Sequence, residues 1–127
     1  ADSLFREAVS NKAHTNAMDD RVQPVRESVF FHYGYFLLRQ NRLPEAFTQF
    51  EINLREEPLG YFGPYGMALL SAKKGDNREA IDWLEKSLDR WYPEPESILS
   101  EPLFAKIRKT ARFKSLMKKH FPEKFKD

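Results

Sequence analysis

The residues able to do acid–base or metal chemistry are scattered along this 127-residue chain. Three histidines, His14, His32 and His120, fall in three different predicted elements, and only His120 has a carboxylate nearby, at Glu123. A zinc site needs several such ligands at short spacing. The chain has no cysteine, which excludes thiolate ligands, cysteine nucleophiles and disulfides. We therefore expect no metal site.

The sequence also lacks clear motifs for a catalytic nucleophile, for a catalytic pair of carboxylates and for a phosphate-binding loop. No serine lies in a Gly-x-Ser-x-Gly sequence, the pattern of an exposed nucleophile. Acid pairs such as Asp82 with Glu85 fall on polar helix faces, where we expect them to be solvated and not to form a glycosidase pair. The glycine-rich run at 60–66 lacks the Lys-Ser/Thr ending of a phosphate loop, so it predicts a turn between repeats. We expect neither an enzyme nor a cofactor-binding protein.

The bulk composition is that of one globular domain. Hydrophobic residues make up 41% of the chain and charged residues 31%. No apolar run approaches the roughly 18 residues of a transmembrane helix, and no signal peptide is recognisable. The chain starts at Ala1 without methionine, from which we expect a processed protein or one part of a larger one. Cytoplasm and periplasm are both compatible compartments.

The net charge of +2 conceals an uneven distribution. Residues 1–102 hold 12 Lys and Arg against 17 Asp and Glu, whereas residues 103–127 hold 9 against 2. A basic end of this kind can bind nucleic acid or an anionic surface. Apolar residues such as Ile107, Phe113 and Leu116 interleave with the charges, which favours the solvated face of amphipathic helices.

The sequence resembles itself when it is shifted by 34 residues. The coinciding positions are Gly34 with Ala68, Ala46 with Ala80, Phe50 with Leu84, and the turn residues 40–42 with 74–76. Small residues fall on small ones, and large apolar residues fall on large apolar ones. Because antiparallel helices approach closely only where a side chain is small, each unit predicts a packed helix pair.

Helix start and stop signals support two helices in each unit. In the first unit, Asn41 tolerates the left-handed conformation that ends a helix, and Pro44 suits the first turn of the next. In the second unit, Gly75 suits the same terminal position, and Asp76 with Glu79 resembles a capping box. The breaks between the two helices of each unit are therefore expected at 40–42 and 74–76.

The runs 27–60 and 61–94 each resemble a tetratricopeptide-repeat (TPR) unit. The resemblance is carried by Phe30, Tyr33, Gly34, Ala46, Phe50 and Pro58 in the first run, and by Ala68, Gly75, Asp76, Ala80 and Leu84 in the second. It implies an all-α fold, a right-handed superhelix of antiparallel helix pairs. Asn53, Pro64 and Tyr92 depart from the family pattern, which predicts local adjustments in packing.

The flanking segments resemble repeats more loosely. Residues 1–10 match either half of a repeat or a simple cap helix, and 11–26 predict a loop. Pro93 and Pro95 are expected to end the second repeat. Residues 95–120 are similar to the degenerate closing repeats of bacterial TPR regions, which are often appended to enzymes, with helices near 102–109 and 111–120. Residues 121–127 are expected to form a tail.

The TPR resemblance implies a concave groove lined by the first helix of each repeat. The groove-facing residues would be Phe31, Tyr35, Leu38, Arg39, Phe62, Tyr65, Leu69 and Lys73. Phe31 and Tyr35 replace the Lys and Asn with which chaperone-binding relatives hold a carboxylate, so that clamp is absent. An aromatic groove is typical of a site for a peptide or partner domain. It could instead be filled by the 11–26 loop, the 121–125 tail or a neighbouring domain.

We therefore expect a scaffold or accessory domain that binds a protein or peptide, or another domain of the same protein. The alternative is nucleic-acid or anionic-surface binding through residues 103–127. Nucleic acid is disfavoured as a partner because no exposed pattern of base-stacking aromatics interleaves with this basic run.

Overall fold

The computed structural model describes residues 23–125, and in this range the chain forms helices and no strand. The α-helices are α1 (Gln23–Arg39), α2 (Leu43–Glu56), α3 (Phe62–Lys73), α4 (Asn77–Asp89), α5 (Pro95–Ser100) and α6 (Ala111–His120). Two short 3-10 turns, Pro102–Phe104 and Ile107–Lys109, lie between α5 and α6. The all-α prediction is confirmed for these residues.

The first four helices form two consecutive pairs. α1 packs against α2, and α3 packs against α4. In addition, α3 packs against both helices of the first pair. Residues 23–26 belong to α1, so the last residues of the predicted 11–26 loop are helical. The rest of that loop, the predicted element at 1–10 and the last two residues of the tail lie outside the described residues.

The same helix ending occurs three times. Asn41, Gly75 and Trp91 have positive φ values of 61°, 86° and 72°. At each site the following N–H donates five residues back, as from Arg42 to the Leu37 carbonyl at 2.9 Å. This is the Schellman arrangement, which satisfies the last carbonyls of a helix. The endings at Asn41 and Gly75 confirm the predicted helix stops, whereas the one at Trp91 has no sequence signal.

The helix starts also follow the predicted signals. Pro44 lies in the first turn of α2. Asp76 precedes α4, and its Oδ1 accepts a hydrogen bond from the Glu79 N–H at 3.0 Å. This bond satisfies one of the backbone donors left free at a helix N-terminus.

The buried ring of Phe50 on α2 lies between two glycines. A Cβ atom at Gly34 of α1 would lie 2.4 Å from Phe50 Cε1, and one at Gly66 of α3 would lie 2.2 Å from Phe50 Cδ1. Gly34 thus leaves room for a ring, as its small size predicted. Gly66 corrects the sequence interpretation, because most of the predicted turn at 60–66 is the beginning of α3.

The chain after α4 closes the core. The helix predicted near 102–109 is instead the two 3-10 turns, and α5 was not predicted. Fully buried Ile98, Phe104, Ile107 and Met117 belong to the same core as the two helix pairs. On the surface, Arg112 of α6 donates to Asp82 and Glu85 of α4 at 2.6 and 3.2 Å. The closing segment is therefore an integral part of the domain.

Candidate functional site

A cleft of about 510 Å³ opens between α1, α3 and the closing segment. Its lining residues are Phe31, His32 and Tyr35 from α1, Tyr61, Phe62, Tyr65 and Leu69 from α3 and its N-cap, and Tyr92, Pro93, Glu94, Ser97, Ser100, Glu101 and Pro102. The volume lies within the range of natural ligand sites. We call this feature the aromatic cleft.

Five aromatic rings of the cleft contact one another in a closed circuit. The order is Phe31, Phe62, Tyr61, Tyr92, Tyr65 and back to Phe31, with centroids between 4.3 and 5.7 Å apart. Tyr65 and Tyr92 are stacked at an interplanar angle of 12°. Aromatic pairs at these distances add stability beyond their buried area. The circuit therefore joins both helix pairs to the closing segment.

Hydrogen bonds at the end of α4 position Tyr61 at the cleft. Ser87 Oγ donates to the Tyr61 carbonyl at 2.9 Å, and Arg90 Nη1 donates to the Gly60 carbonyl at 3.2 Å. Both bonds satisfy carbonyls of the α2–α3 loop. The loop that carries Tyr61 is thereby fixed to the end of α4, and Tyr92 follows that end by three residues.

The wall formed by α5 is fixed at its first turn. The Tyr92 hydroxyl lies 2.5 Å from Ser97 Oγ, which donates to the Glu94 carbonyl at 2.9 Å. This contact places Tyr92 over Tyr65.

Glu101 is fixed at the other end of that wall. Its Oε1 accepts a hydrogen bond from the Tyr35 hydroxyl at 3.0 Å, and its Oε2 accepts one from the Leu103 N–H at 3.1 Å. Arg108 Nη1 donates to the carbonyls of Glu101 and Ile98 at 2.6 and 3.1 Å, which are carbonyls at the end of α5. Arg108 thus positions Glu101 through the backbone.

The tyrosines of the cleft remain neutral well above pH 7. Burial raises the pKa of the Tyr65 hydroxyl, and the neighbouring Tyr92 hydroxyl adds to this effect. Burial likewise raises the pKa of Tyr92. The pKa of Tyr35 is raised by burial and then by its hydrogen bond to the Glu101 carboxylate. These hydroxyl groups can therefore donate hydrogen bonds throughout the physiological pH range.

Five of the predicted groove residues line the aromatic cleft. Phe31, Tyr65 and Leu69 are almost fully buried and form its floor, whereas Tyr35 and Phe62 are half-buried. The closing segment contributes to this burial, since Tyr65 contacts both Tyr92 and Phe104. The predicted groove is thus partly covered by residues 92–104 of the chain itself. The described part of the tail does not line the cleft, and its Lys124 pairs with Glu96.

The other three predicted residues lie beside a second depression of about 300 Å³. Leu38 is only 1% exposed, so it packs in the core, whereas Arg39 and Lys73 are exposed at the rim. Tyr35 and Glu101 separate this depression from the aromatic cleft and line both. The predicted groove is therefore divided into two parts.

The whole α5 wall was missed by reasoning from the sequence. Pro93 and Pro95 were interpreted as helix terminators only, although a proline is also favoured in the first turn of a new helix. Glu94 precedes α5 and Pro95 starts it. The apolar Ile98 three residues after Pro95 was a usable signal.

Several basic side chains of the 103–127 segment bind within the protein. Arg108 binds backbone carbonyls, Arg112 binds Asp82 and Glu85, and Lys124 pairs with Glu96. Lys106, Lys109, Lys114 and Lys119 are exposed. The charge available to an anionic partner is thus smaller than the sequence implies.

The described residues bring together no group of three or more His, Asp or Glu side chains that could hold a metal ion. None of the described helices is long and apolar enough to cross a bilayer. Comparison of the chain with known protein families, with characterised proteins and with solved structures found no match. The aromatic cleft itself, with neutral hydroxyls, two carboxylates and exposed ring surface, is suited to binding.

Proposed function

We propose that this chain is a TPR-like protein-interaction module whose helix pairs stack in a right-handed superhelix and whose aromatic cleft binds a segment of a partner protein. Two helix pairs whose first helices end in the same Schellman arrangement 34 residues apart, at Asn41 and Gly75, support the repeat architecture.

The observation that carries this proposal is the aromatic cleft. Tyr and Phe side chains bury large areas at little cost in side-chain entropy, and they are frequent anchors of protein interfaces. The half-buried Tyr35, Tyr61 and Phe62 present ring surface on a floor held by buried neighbours. A preorganised site of this kind binds with a smaller ordering cost than a mobile one. The pairing of basic residues within the chain gives the nucleic-acid alternative no comparable support.

A displayed library of random peptides, selected on the full chain, tests the proposal. Selected peptides are expected to lose about tenfold or more in affinity on Phe62→Ala, because an aromatic anchor is removed. Ser100→Trp is expected to weaken binding as well, since it fills the cleft from an exposed position without removing a core contact. The matched control is Phe47→Ala, which removes an aromatic side chain of α2 that is 37% exposed.

Thermal melts followed by circular dichroism must show that each variant is folded. Unchanged affinity in both Phe62→Ala and Ser100→Trp would exclude the aromatic cleft as the binding site. Equal loss in Phe47→Ala would place the site elsewhere on the surface.

A further inference from the structure

Resting on the proposed function, we infer that the aromatic cleft selects a positively charged side chain, lysine or arginine, of a partner protein. The cation lies against the exposed tyrosine and phenylalanine rings, between the carboxylates of Glu94 and Glu101.

The rings of the cleft supply one half of this selectivity. The face of an aromatic ring carries partial negative charge and attracts a cation within about 6 Å of its centroid. Tyr35, Tyr61 and Phe62 keep exposed surface in the cleft. The raised pKa values of Tyr35, Tyr65 and Tyr92 keep these phenols neutral at neutral pH, so the negative charge of the lining comes from its carboxylates. The cleft therefore offers ring faces and hydroxyl oxygens to a cation.

The charges of the lining supply the other half. Glu94 and Glu101 are the charged residues of the lining, and no Lys or Arg of the described chain lines this cleft. They flank α5 on either side, and its six residues span about 9 Å. A lysine or arginine side chain placed beside α5 would thus be within reach of a carboxylate along the whole wall.

Hydrogen bonds fix the position of the Glu101 carboxylate without neutralising its charge. Both of its carboxylate oxygens accept a hydrogen bond from a neutral donor, Tyr35 or Leu103, and it forms no ion pair with any basic side chain of the described residues. A half-buried carboxylate without a counter-ion gains more from an incoming cation than a solvated one, because the local dielectric constant is lower.

Two positive charges limit where the cation can lie. Arg39 and Lys73 line the second depression, on the far side of Tyr35 and Glu101. They disfavour a cation at that end by like-charge repulsion. The cation is therefore placed on the Glu94 side of Glu101, next to Tyr61 and Phe62.

The test uses peptides selected on the full chain. We expect lysine or arginine to be enriched at one position, and replacement of that residue by norleucine to weaken binding about tenfold. Glu101→Gln keeps the size of the side chain and one of its two hydrogen-bond acceptors while it removes the charge. It is expected to weaken the basic peptide roughly fivefold to tenfold and the norleucine peptide less. The difference between the two peptides is expected to shrink in high salt.

Glu96→Gln is the matched control, because Glu96 lies on α5 outside the cleft lining. Selected peptides without basic residues, or equal loss of both peptides in Glu101→Gln, would overturn the cation inference while the peptide-binding function stands. Absence of any selected peptide would overturn both. If tetramethylammonium chloride competes as strongly as the basic peptide, a free small cation is the ligand and the inferred protein partner is wrong.

Discussion

At the scale of single residues, the packing of the first three helices depends on the ring of Phe50 and on two glycines, Gly34 and Gly66, that lie against it. Phe50 is fully buried, and Gly34 and Gly66 face it from α1 and α3. The ring cannot move aside easily, because Phe31 contacts it at a centroid distance of 6.1 Å. Glycine within a helix costs up to about 1 kcal/mol of stability relative to alanine. The close packing against Phe50 must therefore offset this cost at both Gly34 and Gly66.

We predict that Gly66→Ala destabilises the protein by about 1–3 kcal/mol, although alanine is the better helix former. The reason is that the new Cβ would lie 2.2 Å from Phe50 Cδ1. Urea denaturation measures the effect. In a Phe50→Leu background the same substitution should cost less, because the smaller side chain leaves room. A similar cost in both backgrounds would show that the Phe50 contact is not responsible.

At the scale of elements, the cleft depends on three tyrosines that join α1, α3 and the start of the closing segment. Tyr35 donates to Glu101, Tyr65 stacks on Tyr92, and the Tyr92 hydroxyl lies beside Ser97. The aromatic residues of α1 and α3 could be named as groove residues through the TPR resemblance, which implies a groove lined by the first helix of each repeat. Their burial could not be predicted, since it depends on how α5 folds back.

Alkaline pH is predicted to destabilise the protein through these tyrosines. Burial raises the pKa of Tyr35, Tyr65 and Tyr92 in the folded state. Their contribution to stability is therefore fully present below the unfolded value of about 10 and is lost as the pH rises above it. Absorbance at 295 nm and circular dichroism, recorded together, should show these phenols ionising as the helices unfold.

Tyr92→Phe is the variant to compare, because it removes one buried ionisation while it keeps the stacked ring. It should shift the unfolding transition to higher pH. Titration of all phenols near pH 10 with unchanged ellipticity would contradict the prediction.

At the scale of the whole molecule, the closing segment is what separates this domain from a simple pair of repeats. The 34-residue periodicity predicted the two helix pairs and two of the three helix endings. It does not extend to residues 90–110. Pro95 and Ile98 are local signals for α5, but Trp91 gives no signal for a left-handed conformation, and the 3-10 turns depend on contacts of Glu101 and Arg108 with distant or backbone groups. Local signals were sufficient where the repeats are regular and insufficient where tertiary contacts decide.

Phe104→Ala is predicted to lower the free energy of unfolding by about 3–5 kcal/mol, because a fully buried ring is removed from the core. The loss should appear in one cooperative transition that includes both helix pairs, since Phe104 contacts Tyr65 of α3. Thermal unfolding followed at two wavelengths checks this. Leu103→Ala, at a partly buried neighbour, should cost less. A separate early transition in Phe104→Ala would mean that the closing segment folds independently.

The position of the cleft wall in the chain has a consequence for the newly made protein. Ribosomes add roughly 5–20 residues per second, and α1 to α4 are complete before residue 94. Until residues 92–104 have been made, Tyr65 on α3 lacks the contacts that Tyr92 and Phe104 make with it in the folded domain. The aromatic cleft therefore forms only once the closing segment has been made, so the proposed partner recognition depends on residues that follow both helix pairs.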